Sequence, residues 1–243
     1  MKTVISVEKL KKVFNKKTTA VNGISFDIFE NEVLGLIGPN GSGKTTTMRM
    51  LTILLKPTSG TIKYDGHILT EYEKEIRCEI GYVPQGECLY GDLTVFENLD
   101  IFSKPYKLDE DERHKNINYF LEKLEIKDRR NMLVKNLSGG LMKRVSIASA
   151  LIHKPKILFL DEVTMGLDPN SRYHIWNLIK DLKKETTIFM TTHYMDEAET
   201  LCDRIAILSL GNILDINPPK NIIKKYAVCD LNEVIGKIIK REK

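Results

Sequence analysis

One short stretch of the sequence has the composition and spacing of a loop that binds phosphate groups. Residues 38–45 read Gly-Pro-Asn-Gly-Ser-Gly-Lys-Thr and fit the pattern G-x-x-x-x-G-K-[ST]. Its glycines let backbone N–H groups approach an anion closely. We predict that Lys44 reaches the outer phosphates of a nucleotide and that the Thr45 hydroxyl is a ligand of Mg²⁺. The predicted phosphate contacts are Gly38, Pro39, Asn40, Gly41, Ser42, Gly43, Lys44, Thr45 and Thr46.

Such a loop needs a strand before it and a helix after it, and the sequence predicts both. Residues 33–37 are an apolar run typical of a buried strand, and residues 46–51 can continue as a helix that ends near Leu55. The N-terminus of that helix favours negative charge, because its free N–H groups and positive dipole end point towards the loop. The local order of elements therefore agrees with phosphate binding.

Two adjacent acids follow a second apolar strand at residues 157–160. Ligands bind at the carboxyl ends of the strands in open α/β sheets, which is where Asp161 and Glu162 stand. We predict that Asp161 holds Mg²⁺ through water and that Glu162 polarises the water that attacks the terminal phosphate. Such a pair taken alone more often merely ends a strand, but the phosphate loop in the same chain favours the catalytic interpretation.

A second anion site is predicted where residues 137–140, Leu-Ser-Gly-Gly, open a helix over residues 141–151. One chain needs only one phosphate cradle. A second anion site is explained if two copies of the chain meet head to tail. Residues 137–140 of each copy would then contact the nucleotide bound by the other. The predicted nucleotide contacts of this segment are Ser138, Gly139 and Gly140.

With these motifs in this order, the sequence resembles the ATP-binding subunits of ATP-binding cassette (ABC) transporters, from about residue 3 to residue 220. The resemblance implies ATP and Mg²⁺ as the nucleotide and metal. It also implies that Phe14 stacks on adenine and that Gln85 binds Mg²⁺, acts in catalysis and links to the membrane partner. By the same resemblance, Asp168 lies in a loop between two subunits and contacts the nucleotide, and His193 contacts the terminal phosphate.

The predicted fold is α/β: a P-loop NTPase core with mixed and parallel sheet, an N-terminal antiparallel β layer and an inserted helical subdomain. We expect an ATPase domain at 1–220, with the helical subdomain at about 88–153, and a C-terminal helical extension at 221–243. Apolar residues recur on one face of that extension. The face either packs on its own domain, which is the commoner case, or binds a partner or membrane surface.

Composition narrows the function classes. The 243 residues are 42% hydrophobic with a net charge of +4, which is too small and too evenly spread to indicate nucleic-acid binding. The four cysteines have no zinc or disulfide spacing, as in a reducing compartment. No apolar run approaches the roughly 20 residues that span a bilayer. The family resemblance implies a peripheral protein at the cytoplasmic face of the membrane, paired with a copy of itself or with a related ATPase subunit.

The partner expected from the resemblance is a separate transmembrane permease, and residues 85–96 are the predicted docking segment. Ordinary packing within the chain is the alternative explanation of their apolar character. Residues 166–169 and 191–199 resemble the exporter branch, which includes multidrug ATPases. An importer ATPase, or a soluble ABC ATPase acting on nucleic acid or ribosomes, is the alternative function. Leu141, Val163 and Met165 depart from the usual family pattern, and the permease chain would set the cargo.

Overall fold

The structure, a computed structural model, describes residues 2–15, 17–86 and 88–241. These residues form two compact units. The first runs up to residue 77 and resumes at residue 183, and the second comprises residues 78–182. The phosphate loop and His193 therefore belong to the first unit. The segment 138–140 and the acids that follow the strand at 157–160 belong to the second.

The first unit contains eight of the strands in the described residues, with helices between and after them. Its strands are β1 (Thr3–Phe14), β2 (Thr18–Phe29), β3 (Val33–Ile37), β4 (Ser59–Tyr64), β5 (His67–Ile68), β8 (Thr187–Thr192), β9 (Arg204–Ser209) and β10 (Asn212–Asn217). Its helices are α1 (Lys44–Leu51), α2 (Glu73–Glu79), which runs into the second unit, α7 (Met195–Leu201), α8 (Pro219–Tyr226) and α9 (Leu231–Arg241).

The second unit is mainly helical. It contains strands β6 (Ile80–Val83) and β7 (Ile157–Asp161) and helices α3 (Val95–Ser103), α4 (Glu110–Lys123), α5 (Gly139–Leu151) and α6 (Pro169–Leu182), with short 3₁₀ turns at Lys104–Tyr106, Lys127–Arg129 and Val134–Asn136. This composition confirms the predicted helical subdomain within an α/β fold.

The predicted antiparallel β layer is present in the first unit, with strand order β2-β1-β4-β5. Along β1 the apolar residues Ile5, Val7 and Leu10 are buried, while polar neighbours face outward. This alternation is what an antiparallel sheet with one covered face requires.

The parallel part of the first unit has β3 at its centre. β3 pairs in parallel with both β8 and β9, and β10 pairs with β9 in antiparallel register. Every residue of β3 and β8 is buried, as expected for parallel strands covered on both faces. The loops at the carboxyl ends of β3 and β8 consequently leave the sheet side by side.

Helices of the second unit start at clear sequence signals. Thr94 and Glu97 form a capping box at the start of α3, and the Asp109 carboxylate accepts from the Glu112 N–H at the start of α4. The apolar residues that recur at spacings of three and four along α4 are buried, among them Ile117 and Phe120. Strands β6 and β7 pair in parallel within the same unit.

The C-terminal helix α9 packs against its own unit. Leu231, Val234 and Ile238 are buried, and α9 contacts α7 and α8. The Leu231 N–H donates to the Glu199 carboxylate at 2.8 Å, which anchors the start of the helix. Of the two interpretations of the apolar face, packing on the same unit is the one the structure supports. Among the residues from 2 to 241 that are described, no helix is long and apolar enough to cross a bilayer.

Candidate functional site

The phosphate loop connects β3 to α1, and two of its glycines are required by close backbone contacts. Gly38 has φ +152° and lies so close to the Leu208 carbonyl oxygen that a β-carbon would overlap it. Gly43 has φ +110° and lies in the same way against the Ala20 carbonyl. Backbone carbonyls of β2 and β9 thus pack directly against the loop. A side chain at position 38 or 43 would exclude this conformation.

The N-terminus of α1 is formed without any side-chain cap. Gly43 is the N-cap residue, and no side chain accepts a hydrogen bond from the first turn. The first N–H groups of a helix need an acceptor, and an anionic ligand can supply it. The Lys44 side chain is buried and its ammonium donates to the Gly38 and Pro39 carbonyls at 2.8 and 3.1 Å. A positive charge is therefore fixed within the loop.

One further observation bears on whether the loop fits a phosphate. The Ser42 hydroxyl is fully buried beside Gly38, and no described residue offers it a hydrogen-bond partner. Buried hydroxyls without a partner are costly and uncommon. An uncapped helix start, a fixed ammonium and a buried hydroxyl without a partner suit a phosphate group, so the residues present fit ATP.

His193 leaves the sheet beside the phosphate loop. Strands β3 and β8 are in register with Ile37 opposite Thr192, so the next residues, Gly38 and His193, follow at the same edge. The His193 ring is exposed and lies 4.1 Å, centroid to centroid, from the ring of Tyr194. His193 therefore lies at the same edge of the sheet as the phosphate loop. Its contact with a terminal phosphate stays a prediction.

Phe14 lies at the end of β1 and is 38% exposed. It pairs with Thr18 at the start of β2, two residues before the Ala20 carbonyl that contacts the phosphate loop. The Lys12 ammonium lies 5.3 Å from the centre of the Phe14 ring. An exposed aromatic face at this end of the sheet is available for stacking on a base, and that role stays a prediction.

In the second unit, strand register brings three predicted site residues together. Val83 is opposite Leu160, so Gln85 follows β6 at the edge where Asp161 ends β7 and Glu162 follows it. The Gln85 side-chain nitrogen donates to a Glu162 carboxylate oxygen at 3.1 Å. Asp161 is buried, whereas Glu162 is half-buried and has φ +47°, a region that few residues other than glycine adopt. A turn follows Glu162, closed by the Met165 N–H, which donates to the Glu162 carbonyl.

The segment 138–140 forms the start of α5, as predicted. Ser138 is the N-cap residue, and its hydroxyl accepts from the Leu141 N–H at 3.4 Å. A β-carbon on Gly140 would lie 2.7 Å from the Ser171 hydroxyl on the first turn of α6. The two helix starts are therefore neighbours, and Gly140 is the residue that allows this.

Asp168 caps the neighbouring helix α6. Its carboxylate accepts from the Asn170 and Ser171 N–H groups at 3.0 Å each. Hydrogen bonds from the Ser171 side chain and backbone hold the pKa of Asp168 below its usual value, so the residue keeps its charge. Its observed contacts are structural, and the predicted contact with a nucleotide would come in addition to them.

Several supporting residues could not be identified from the sequence. Leu208, Ala20 and Gly211 buttress the phosphate loop through backbone groups, with the Gly211 N–H donating to the Ser42 carbonyl at 3.0 Å. These contacts depend on main-chain positions far apart in the sequence, and no residue type marks them. Only the glycine at 211, in a turn with φ +77°, carries a local signal.

Comparison with known proteins agrees with this geometry. The family model described as "ABC transporter" matches residues 21–165. A Nod factor export ATP-binding protein I from Ralstonia nicotianae is 38% identical over 96% of this chain and 73% of its own length. The chain belongs to the ABC transporter family. Membership makes it an ABC-type ATPase that binds ATP.

Two further similarities show how much of this chain, and how much of each relative, the matches cover. The ATP-binding cassette sub-family A member 2 of Rattus norvegicus is 42% identical over 86% of this chain, which spans only 9% of that relative's length. The solved structure of cbiO1 from Clostridium perfringens, described as part of the ABC transporter complex cbiONQ, has 31% identity and a TM-score of 0.86. It covers 99% of this chain, and the match includes 96% of that one. The α/β P-loop NTPase fold is thereby confirmed.

Proposed function

We propose that this chain is the ATP-hydrolysing subunit of an exporter, driving a separate transmembrane permease by closing around ATP as a dimer. The observation that carries the proposal is the presence of two helix starts suited to an anion, at α1 and α5, in one ABC-family chain. The export direction is supported by the exporter named among its relatives.

ATP would be held mainly by the first unit. The backbone N–H groups of the loop and of α1 would bind the phosphates, together with the Lys44 ammonium and the Ser42 hydroxyl. Phe14 would stack on the adenine ring. Thr45, Gln85 and Asp161 would hold Mg²⁺, whose positive charge neutralises the phosphates during hydrolysis. Hydroxyl, amide and carboxylate oxygens are the ligands that this ion prefers.

Hydrolysis would depend on Glu162 as the residue that orients and polarises the attacking water. Gln85 already contacts the Glu162 carboxylate, so the two side chains would act at the same place. His193 would donate a hydrogen bond to the terminal phosphate from the edge of β8.

The second anion site would act in the partner copy. Ser138, Gly139 and Gly140 of one chain, with Asp168, would complete the phosphate site of the other. The full set of contacts to the terminal phosphate would exist only when both faces meet. Hydrolysis would remove those contacts and favour the open state, which converts ATP turnover into movement.

A permease would dock on residues 85–96, of which Glu87 lies outside the described residues. Tyr90 is 55% exposed and stacks on Phe102 with ring centroids 5.8 Å apart. Leu89 is half-buried beside it. Exposed aromatic rings are favoured anchors of protein interfaces. Docking here would place the chain at the cytoplasmic face of a membrane.

A comparison of transport by the wild type and by a variant that lacks the Glu162 carboxylate tests the proposal. The chain should be reconstituted with its permease in vesicles, and ATPase activity and ATP-driven transport compared between the wild type and Glu162→Gln. We expect the variant to bind ATP and to lose both activities. ATPase activity that depends on RNA or DNA and ignores the permease would overturn the transport function. ATP-driven uptake in place of export would overturn the direction.

A further inference from the structure

The Gln85 side chain is held by two acceptors in the second unit. Its amide nitrogen donates to a Glu162 carboxylate oxygen at 3.1 Å and to the Met165 sulfur at 3.2 Å. A primary amide has two N–H donors, so one serves each acceptor. The backbone of Gln85 is held as well, because its carbonyl accepts from the Lys143 ammonium at 3.2 Å.

These two acceptors determine which way the amide of Gln85 faces. The nitrogen and oxygen of an amide are nearly equal in shape, and their assignment follows from the hydrogen bonds they make. A flipped amide would place its oxygen against the Glu162 carboxylate and the Met165 sulfur, neither of which can donate. The nitrogen must therefore face these two groups, and the amide oxygen must face away from them.

Met165 is brought to Gln85 by a tight turn after β7. The Met165 N–H donates to the Glu162 carbonyl at 3.0 Å, and the turn uses positive φ at Glu162 and Gly166, +47° and +76°. Met165 is 43% exposed, so packing against a core does not explain its position. It lines a cavity of about 370 Å³ that Gln85, Lys143 and Gly139 also line.

We propose that Met165 is a positioning residue for Gln85, and that its thioether keeps the amide oxygen of Gln85 turned outward as a ligand for Mg²⁺. The inference rests on the proposed role of Gln85 in binding the metal. Met165 touches neither nucleotide nor metal in this account. It acts only through the orientation of the Gln85 amide. The Glu162 carboxylate is the second acceptor that fixes this orientation.

The first test uses the protein without nucleotide. The side-chain NH₂ signals of Gln85, assigned by their loss in Gln85→Ala, should be compared by nitrogen-15 NMR in the wild type and in Met165→Leu, which keeps the volume but removes the acceptor. We expect one of the two proton signals to move strongly. Met142→Leu, in the same cavity, is the matched control and should leave both signals in place. Unchanged Gln85 signals in Met165→Leu would overturn the proposal.

A reciprocal measurement covers the case in which Met165→Leu does not fold. With carbon-13 methyl labels on methionine, the Met165 methyl signal should shift in Gln85→Ala while the other methionine signals remain. An unchanged Met165 signal would contradict the contact.

The second test measures the metal directly. We expect Met165→Leu to raise the Mg²⁺ concentration that gives half-maximal ATPase activity about two- to fivefold, the size of one weak hydrogen bond, with little change in kcat at saturating Mg²⁺. Met142→Leu should match the wild type. An equal fall in kcat at every Mg²⁺ concentration would indicate general damage and reject a positioning role.

The two proposals fail in different ways. If Glu162→Gln retained wild-type ATPase activity, the proposed hydrolytic site would be wrong whatever Met165 does. If Glu162→Gln lost turnover while Met165→Leu changed neither the Gln85 signals nor the Mg²⁺ dependence, only the role of Met165 would be wrong.

Discussion

The α-carbon of Gly38 faces the backbone carbonyl of Leu208 with no room for a side chain between them. Gly41, three residues later in the same loop, has φ +81° but no atom within 4 Å of where its β-carbon would lie. The two glycines are therefore required for different reasons. Gly38 is needed for space against β9, and Gly41 is needed only for its backbone conformation.

This difference predicts unequal losses of stability. Gly41→Ala should cost roughly 1–2 kcal/mol, the strain of a left-handed residue with a side chain. Gly38→Ala must also displace the Leu208 backbone, which should add about 1–3 kcal/mol. Chemical denaturation of both variants measures this. Equal losses would show that Gly38 does not press against β9 as described.

The second prediction concerns the buried ammonium of Lys44, which lies on the carbonyls of its own loop. Lys44→Ala should lower ATP affinity about 10–100-fold, because hydrogen bonds to charged groups are among the stronger ones. Lys74→Ala, an exposed lysine on α2, is the control and should bind ATP like the wild type. Calorimetric titration with ATP measures the affinity of each protein. An undiminished affinity in Lys44→Ala would exclude the lysine as a phosphate ligand.

A third prediction follows from a half-buried histidine in the second unit, His153. His153 stacks on Tyr106 with ring centroids 3.6 Å apart, and its Nε2 must donate to the Ile80 carbonyl at 2.9 Å, since a carbonyl only accepts. Burial lowers the pKa of His153 to about 4. Between pH 6.5 and 4 the unfolded chain therefore binds a proton that the folded chain does not.

The free energy of unfolding should consequently fall as the pH drops through this window, by about 3 kcal/mol at most from His153, and be fully restored above pH 6.5. His153→Gln keeps a donor for Ile80 but does not titrate. We expect urea unfolding of this variant to lose less stability between pH 6.5 and 4.5 than the wild type. Identical pH slopes for both proteins would rule out a neutral His153 in the folded protein.

Docking gives the fourth prediction. Tyr90→Ala removes an exposed ring at the proposed permease contact, so it should weaken co-purification with the permease about tenfold or more while basal ATPase activity and stability stay nearly unchanged. Tyr119→Ala on α4 is the matched control, because Tyr119 is 45% exposed and lies outside the docking segment. Pull-down of the detergent-solubilised permease provides the measurement. Undiminished binding by Tyr90→Ala would relocate the docking site.

The sequence predicted the elements of this fold better than the contacts between them. Uninterrupted apolar runs such as 33–37 predicted buried parallel strands, and the glycine-rich motif predicted the loop that follows. Helix α4 lies within the predicted helical subdomain, although its start after Asp109 depends on a capping hydrogen bond that only the structure shows. Helix α1 ends at Leu51, earlier than the expected Leu55, because the residues before Pro57 form turns.

What the sequence could not supply is the set of contacts made across long separations. Gly140 at the start of α5 packs closely against Ser171 at the start of α6, a contact that depends only on the absence of a side chain at position 140. The hydrogen bond from Gln85 to Met165 connects residues 80 positions apart. Neither has a signature in residue type or spacing. The departure of Met165 from the family pattern marked an unusual position, but only the turn after β7 shows which side chain it reaches.

The central claim is that one chain holds half of each ATP site, and the oligomeric state of Glu162→Gln tests it most directly. Its mass should be measured by light scattering after gel filtration, with Mg²⁺ and either ATP or ADP. We expect twice the monomer mass of 27.8 kDa with ATP and the monomer mass with ADP. Replacing Ser138 by Arg in the same variant should abolish the dimer. A Glu162→Gln protein that stays monomeric with ATP at high concentration, even beside its permease, would contradict the account.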